Sequence, residues 1–252
     1  MNAQPTNLAR STAIVTGAGR GFGRGIAAAL SAAGAHVVGV ARSQHELDEV
    51  HEQLGAAFTG VAADAADPAT PGQLIDEYRP RAVVLCAGAT PEMAPLQAQT
   101  WESFSQNWNV DVAQAFHWIR CALRRPLEPG SVVIAISSGA AVNGSPLSGG
   151  YAGAKATVKF VSDYAAIESE QAGLGIDFVS VLPRLTPSTD LGARAAAAYA
   201  QRQGVDVDTF AKASGPALTA DQVGMAVLKI AIGNGHKHRA YLLGAAGLSP
   251  LD

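Results

Sequence analysis

The sequence predicts a single α/β domain: a doubly wound parallel sheet of about seven strands with helices on both faces. Three observations carry that prediction. Apolar, β-branched runs recur between helix-like stretches along all 252 residues. The runs are almost continuously apolar rather than alternating, as strands covered on both sides must be. No period of 20–50 residues is present, which excludes a solenoid.

The strands are expected at 11–16 (S-T-A-I-V-T), 35–40 (A-H-V-V-G-V), 57–62, 81–86 (R-A-V-V-L-C), 131–137 (S-V-V-I-A-I-S), 176–182 (I-D-F-V-S-V-L) and 239–243. Between them, 22–33, 44–54, 70–78, 100–124, 150–172 and 219–232 carry helical periodicity or helix-forming composition. Trp101, Phe104 and Trp108 recur at three- and four-residue steps, a stripe suited to core or subunit-contact packing. The stretch 186–216 breaks the alternation. It opens T-P-S-T-D, passes through an alanine-rich helical segment at 193–201 and ends A-S-G-P. Together with 184 and 185 it reads as a lid over a site, with an ordinary surface excursion as the alternative.

Composition bounds the function. With 15% charged and 48% apolar residues the chain is globular. Its formal charge of -3 provides no basic field for nucleic acid. Residues 1–10 lack the apolar core of a signal peptide and no apolar run is long enough for a bilayer, so a cytoplasmic protein is expected. Cys86 and Cys121 are expected as free thiols in a reducing compartment, although the sequence leaves a bridge open. The six histidines show no metal-ligand spacing: His236 and His238 lie two apart in a glycine-bounded loop, and the others are scattered.

The first strand runs directly into T-G-A-G-R-G-F-G at 16–23, where Gly17, Gly19, Gly21 and Gly23 precede an alanine-rich helix. Glycines permit a tight turn and let the backbone approach a pyrophosphate, while the helix N-terminus supplies N–H donors. Such a turn is weak evidence alone; between strand and helix it stands where dinucleotide binding requires it. The second strand ends V-G-V-A-R, so Ala41 offers no carboxylate to a ribose, whereas Arg42 and Arg20 offer guanidinium groups. Two arginines without a carboxylate favour a 2′-phosphate, and NADP(H) is the expected cofactor. Asp64, after the third strand, either hydrogen-bonds the adenine amino group or caps the next segment.

Tyr151 and Lys155 stand four apart in Y-A-G-A-K, thirteen residues after Ser138. On a helix they share a face, bringing an ammonium beside a phenol. A free phenol holds its proton to about pH 10, and a neighbouring cation favours the phenolate. Ser138 can hydrogen-bond the same substrate oxygen. The ensemble reads as carbonyl–alcohol redox chemistry.

On these motifs the chain resembles the short-chain dehydrogenase/reductase family over nearly its whole length, with a Rossmann-type fold implied. Phe22 stands where an aliphatic residue is usual in the glycine signature. The resemblance implies that hydride passes between nicotinamide and a carbonyl carbon. Tyr151 would serve as proton donor or acceptor, Ser138 would hold the oxygen, and Lys155 would bind the nicotinamide ribose. Ser137 is expected to be structural.

Three departures stand out. The family's N-A-G after the fourth strand reads Cys86-Ala87-Gly88, with Gly88 still leaving room for cofactor. A helix asparagine that helps to hold a proton-relay water aligns with Asp111, whose carboxylate should interact with Lys155. Pro183 keeps the turn after the sixth strand, but the glycine that follows it in the family is Arg184, which either contacts an anionic or oxygen-rich substrate or points to solvent.

Ser188 matches a threonine that contacts the nicotinamide carboxamide, with Thr186 and Thr189 as neighbours able to substitute. Walls at 89–96, 139–148 and 184–216 suit a medium-sized, partly apolar carbonyl or alcohol substrate. The resemblance also implies a homodimer or homotetramer through helices 100–124 and 150–172. The tail 244–252 either reaches a neighbouring subunit or frays. A catalytically impaired nucleotide-binding regulatory or scaffolding protein of the same fold is the alternative function.

Overall fold

The computed structural model describes residues 8–233 and 235–251, so most of the segment read for a signal peptide lies outside the described residues. Eight strands, β1 (Thr12–Thr16), β2 (His36–Ala41), β3 (Phe58–Ala62), β4 (Ala82–Leu85), β5 (Val132–Ile136), β6 (Asp177–Pro183), β7 (Ala240–Gly244) and β8 (Gly247–Pro250), form one sheet. Their order is β3-β2-β1-β4-β5-β6-β7-β8. Every neighbouring pair is parallel except β7 with β8. The winding reverses between β1 and β4, and open α/β sheets bind ligands beyond the strand ends at such a point.

The helices are α1 (Gly21–Ala32), α2 (Gln44–Leu54), α3 (Thr70–Tyr78), α4 (Trp101–Asn107), α5 (Ala113–Arg124), α6 (Ala140–Asn143), α7 (Gly149–Gln171), α8 (Asp190–Gln203), α9 (Val207–Ala213) and α10 (Ala220–Ala231). The unbroken apolar strands are explained by two cores. Successive strand residues point to opposite faces. Val15, Val37, Val84 and Ile134 join Ile26, Leu30, Val223 and Val227 on one side. Their neighbours Ile14, Val38, Val83 and Val133 join Trp118, Ile119 and Ala165 on the other. Burying each such side chain contributes about 1.5–3 kcal/mol. Helices α1 and α10 pack backbone to backbone, because a side chain on Gly25 would strike the Ala220 carbonyl and one on Gly224 the Gly25 carbonyl.

Three features differ from the sequence reading. The helix expected over 100–124 is interrupted: α4 passes through a π-helical turn, Trp108–Val112, before α5 begins. The Trp101–Phe104–Trp108 stripe is not core, since Trp101 is 78% exposed and Trp108 41%. The buried tryptophan is Trp118, whose Nε1 donates to the Ala65 carbonyl at 3.0 Å. Finally, the described part of the tail is not frayed. It turns at Gly244↔Gly247 and returns as β8, an eighth strand on the sheet edge. An antiparallel partner needs only a short hairpin, so apolar-run counting misses it.

Candidate active site

The glycine turn sits against the end of β4. Gly17 has φ +68, and a Cβ there would lie 2.8 Å from the Ala87 backbone. Gly21 opens α1 at φ +53, and a side chain on Gly23 would strike the Gly17 carbonyl. Among the described residues no side chain caps α1 and its first turn carries no acid, so its first N–H groups are left for a ligand or water. This cradle would be filled by any added Cβ, and it suits a phosphate.

From this turn a cleft of about 740 Å³ extends across the carboxyl ends of β4, β5 and β6. Gly17, Arg20, Gly21, Phe22 and Gly23 line one end; Ala87, Gly88, Asp111, Ser138, Tyr151, Lys155, Pro183, Arg184 and Ser188 line the remainder. Gly19, Arg42 and Asp64 are not on its wall. Gly19 lies under Glu46, whose Cβ would be 2.8 Å from a Cβ at that position. Arg42 is exposed beyond β2, with no guanidinium partner among the described residues. Asp64 is exposed, and its Oδ1 accepts the Ala66 N–H at 2.9 Å, so one carboxylate oxygen serves the turn. Arg20 lies between two acids that the sequence did not bring to attention: Glu46 at 3.9 Å and Asp190 at 3.4 Å.

Tyr151 and Lys155 are placed by α7. A side chain on Gly150 would strike the Phe104 carbonyl, and one on Gly153 would come 3.5 Å from Trp108. These small residues let α4 and the π turn close onto α7. Lys155 is buried, with Nζ donating to the Ile136 carbonyl at 3.0 Å and lying 5.8 Å from the Tyr151 ring centre. Ser137 donates to the Lys155 carbonyl at 2.7 Å, anchoring α7 to β5. Ser138 Oγ accepts the Ala140 N–H at 3.2 Å, which leaves its own proton available.

Asp111 is 1% exposed, and its carboxylate lies 3.9 Å from Lys155 Nζ. Oδ1 accepts the Ala89 N–H and Oδ2 accepts the Asn107 amide, both at 2.9 Å. Asn107 also donates to the Ala89 carbonyl at 2.7 Å. A carbonyl can only accept, so this bond fixes which way the Asn107 amide faces. Both Asp111 oxygens therefore meet donors, as a carboxylate requires. Burial pushes the Asp111 carboxyl above the usual carboxylate range, while Lys155, Asn107 and Ala89 pull it back. Burial also works against the Lys155 charge, but Asp111, then Tyr151 and Cys86, outweigh it and hold the ammonium above its ordinary value. Asn109, two residues before Asp111, is exposed and takes no part.

Cys86 leaves no gap in the sheet. Thr16 Oγ1 accepts the Cys86 and Ala87 N–H groups at 2.9 and 3.2 Å and donates to Gln114 Oε1. Gln114 in turn donates to the Ala87 carbonyl at 2.8 Å. The Cys86 thiol is pushed up to about 11 by burial, and Lys155 lowers it less than burial raises it. Cys121 is likewise a free thiol.

The 184–216 segment is clasped at its base. Thr186 Oγ1 donates to the Leu218 carbonyl at 2.9 Å and accepts the Leu218 N–H at 3.0 Å. Ser188 also donates to the Leu218 carbonyl, while Thr189 caps α8. Farther out, the Tyr199 hydroxyl meets Ser145 Oγ at 2.6 Å and accepts the Leu147 N–H at 3.3 Å. Asn107, Gln114, Glu46, Asp190 and Tyr199 are the site neighbours that sequence reasoning missed. For the first two a signal existed: Asn107, Asp111 and Gln114 recur at four- and three-residue steps, a polar line on a helix that must bury one face.

A glycine turn and a deep cleft meeting where the strand order reverses define the class: open α/β sheets that bind a dinucleotide. Comparison with known proteins agrees. Residues 11–200 match the family described as short chain dehydrogenase. L-Xylulose reductase of Mesocricetus auratus is 29% identical over 163 residues, covering 64% of this chain and 66% of that protein. The 3-oxoacyl-(acyl-carrier-protein) reductase FabG of Escherichia coli is 28% identical over 189 residues, covering 69% and 73%.

Two solved structures share the fold. One is 3-ketoacyl-(acyl-carrier-protein) reductase of Brucella melitensis complexed with NADH, at TM-score 0.73, 23% identity and coverage of 89% and 92%. The other is an NAD+-bound xylitol dehydrogenase, at TM-score 0.79, 17% identity and coverage of 90% and 94%. The chain belongs to the short-chain dehydrogenase family.

Proposed function

We propose that this protein is an NADP(H)-dependent oxidoreductase that interconverts a small carbonyl compound and its secondary alcohol, with Tyr151 as general acid and base. One observation carries the reading: the glycine turn opens into the cleft whose far wall presents Ser138, Tyr151 and Lys155 together. Gly17, Gly21, Gly23 and the α1 N-terminus would hold the pyrophosphate, and Lys155 a ribose hydroxyl. When bound, the nicotinamide supplies or accepts the hydride. Ser138 donates its hydroxyl proton in a hydrogen bond to the carbonyl oxygen. Tyr151 gives that oxygen its proton as negative charge develops there, and removes it in the reverse direction. Lys155, fixed by Ile136 and Asp111, keeps a further N–H for ligand.

Preference for the phosphorylated cofactor is supported by Arg20 and Arg42 and by the absence of an acid at Ala41. Glu46 and Asp190 already engage Arg20, so Arg42 carries more of the preference than the sequence alone implies. Segment 184–216 acts as a lid, pinned at Thr186–Leu218 and latched through Tyr199. Self-association through α4, α5 and α7 is supported by exposed Trp101, Phe116, Phe160 and Tyr164, and a cytoplasmic location by the two free thiols.

The test is cofactor oxidation, followed at the nicotinamide absorbance, against a panel of ketones and aldehydes. Turnover is expected with NADPH ahead of NADH. Tyr151→Phe should lower kcat on the order of 10²–10⁴-fold while cofactor binding persists. Undiminished turnover in Tyr151→Phe would overturn the assignment. Cofactor binding without turnover across the panel would favour a nucleotide-binding regulatory protein instead.

A further inference from the structure

Six charged side chains line the cleft: Arg20, Asp111, Lys155, Arg184, Asp190 and Arg194. Four of them pair, Lys155 with Asp111 and Arg20 with Asp190. The guanidinium groups of Arg184 and Arg194 have neither an ion-pair nor a hydrogen-bond partner among the described residues. The cleft therefore carries two uncompensated positive charges, and the place of Arg184 beside β6 identifies the end that it serves.

Arg184 directly follows β6 and Ser138 follows β5, the adjacent strand. The Gly139 N–H donates to the Pro183 carbonyl at 2.8 Å, and a Cβ on Gly139 would lie 3.7 Å from Arg184 Cα. The Arg184 stem runs along Gly244, where a Cβ would sit 3.6 Å from its Cδ. Strand β1, which carries the glycine turn, is three places from β6, about 14 Å at ordinary strand spacing. Phosphates bound at the glycine turn are therefore not the partners of Arg184. Arg194 follows Asp190 by four residues on α8, so it lies on the same helix face about 6 Å beyond the Arg20–Asp190 pair.

We propose that the substrate carries an anionic oxyacid group, a carboxylate or a phosphate monoester, apart from its reacting carbonyl. Arg184 holds that group beside Ser138, and Arg194 completes the contact from the lid helix. This rests on the carbonyl-redox reading above and narrows it to anionic carbonyl compounds. A guanidinium's planar fork matches carboxylate and phosphate oxygens two at a time. A neutral ligand would instead displace water from two cations without replacing its hydrogen bonds.

The test uses matched substrates sharing one ketone: a keto-carboxylate, its methyl ester, the corresponding keto-phosphate monoester and an uncharged alcohol analogue. The acid or the phosphate should exceed its neutral counterpart in kcat/KM by about tenfold or more, the advantage shrinking as salt is raised. Whichever of the two anions leads identifies the source of the charge. Arg184→Gln and Arg194→Gln should each reduce the acid-to-ester ratio by about tenfold. Arg202→Gln, on the same helix but off the cleft, should leave that ratio as it is.

Equal use of acid and ester, or variants that slow both alike, would overturn the proposal while leaving the carbonyl chemistry standing. No turnover with any member would overturn both. Both arginines are exposed, so folding of the variants, checked by melting temperature, is expected to be unaffected.

Discussion

Replacing Asp111 by asparagine removes one charge from beside Lys155 at almost constant volume, and places there the residue usual in the family. At 3.9 Å and an effective dielectric of about 20, the attraction is worth about 4 kcal/mol before desolvation. Removing that attraction favours the neutral lysine and moves its deprotonation to lower pH, the more so the less solvent enters the cleft. The sign follows from the environment of Lys155. Its proton affinity is raised by Asp111 first, then Tyr151 and Cys86, against the opposing effect of burial.

In the native protein the ammonium therefore persists beyond pH 10.5, the ordinary lysine value. Its contribution to stability is complete below that pH and is lost only as pH rises through the higher folded value. Without Asp111, burial prevails and the lysine deprotonates earlier. The assay is kcat/KM for ketone reduction over about pH 6 to 10.5, with melting temperature measured in parallel. Native enzyme should show no alkaline limb assignable to Lys155, whereas Asp111→Asn should show one displaced into range. The variant should also melt lower, because an asparagine cannot offer the second acceptor that Asn107 requires and leaves the buried ammonium less compensated. Superimposable pH profiles would refute the electrostatic argument.

Two further substitutions test separate parts of the site. Glu46→Gln frees Arg20 from one of its acids; the pair is exposed and long, so NADPH affinity should rise only about twofold to fivefold. Titration of both cofactors by fluorescence measures this, and an equal gain for NADH would count against a 2′-phosphate contact. Gly150→Ala drives a methyl group into the Phe104 carbonyl, so α4 must move off α7. The expected cost is about 1–3 kcal/mol, or a fall of several degrees in melting temperature, together with reduced kcat. An unchanged melting temperature would show that the close approach of these helices is not needed.

The sequence disclosed the two-sided sheet because burial on both faces leaves a mark on every strand, as the split of Val83 and Val84 between opposite cores illustrates. It also brought the glycine turn, Ser138, Tyr151 and Lys155 to one cleft, since short fixed spacings on a strand end and a helix survive folding unchanged. What it did not disclose depends on contacts between distant segments. Glu46 and Asp190 reach Arg20 from two different helices, and no local spacing records either approach. The π turn is the most consequential omission. Periodicity treats 100–124 as one continuous helix, yet a residue added to one turn rotates everything beyond it. Asn107, just before that irregularity, and Asp111, inside it, meet the Ala89 backbone, and Gln114, just beyond it, meets Ala87. The departure at Asp111, which looks like an isolated substitution in the sequence, is therefore part of a matched set. Asn107 supplies the donor that a carboxylate needs, and Lys155 supplies the opposite charge.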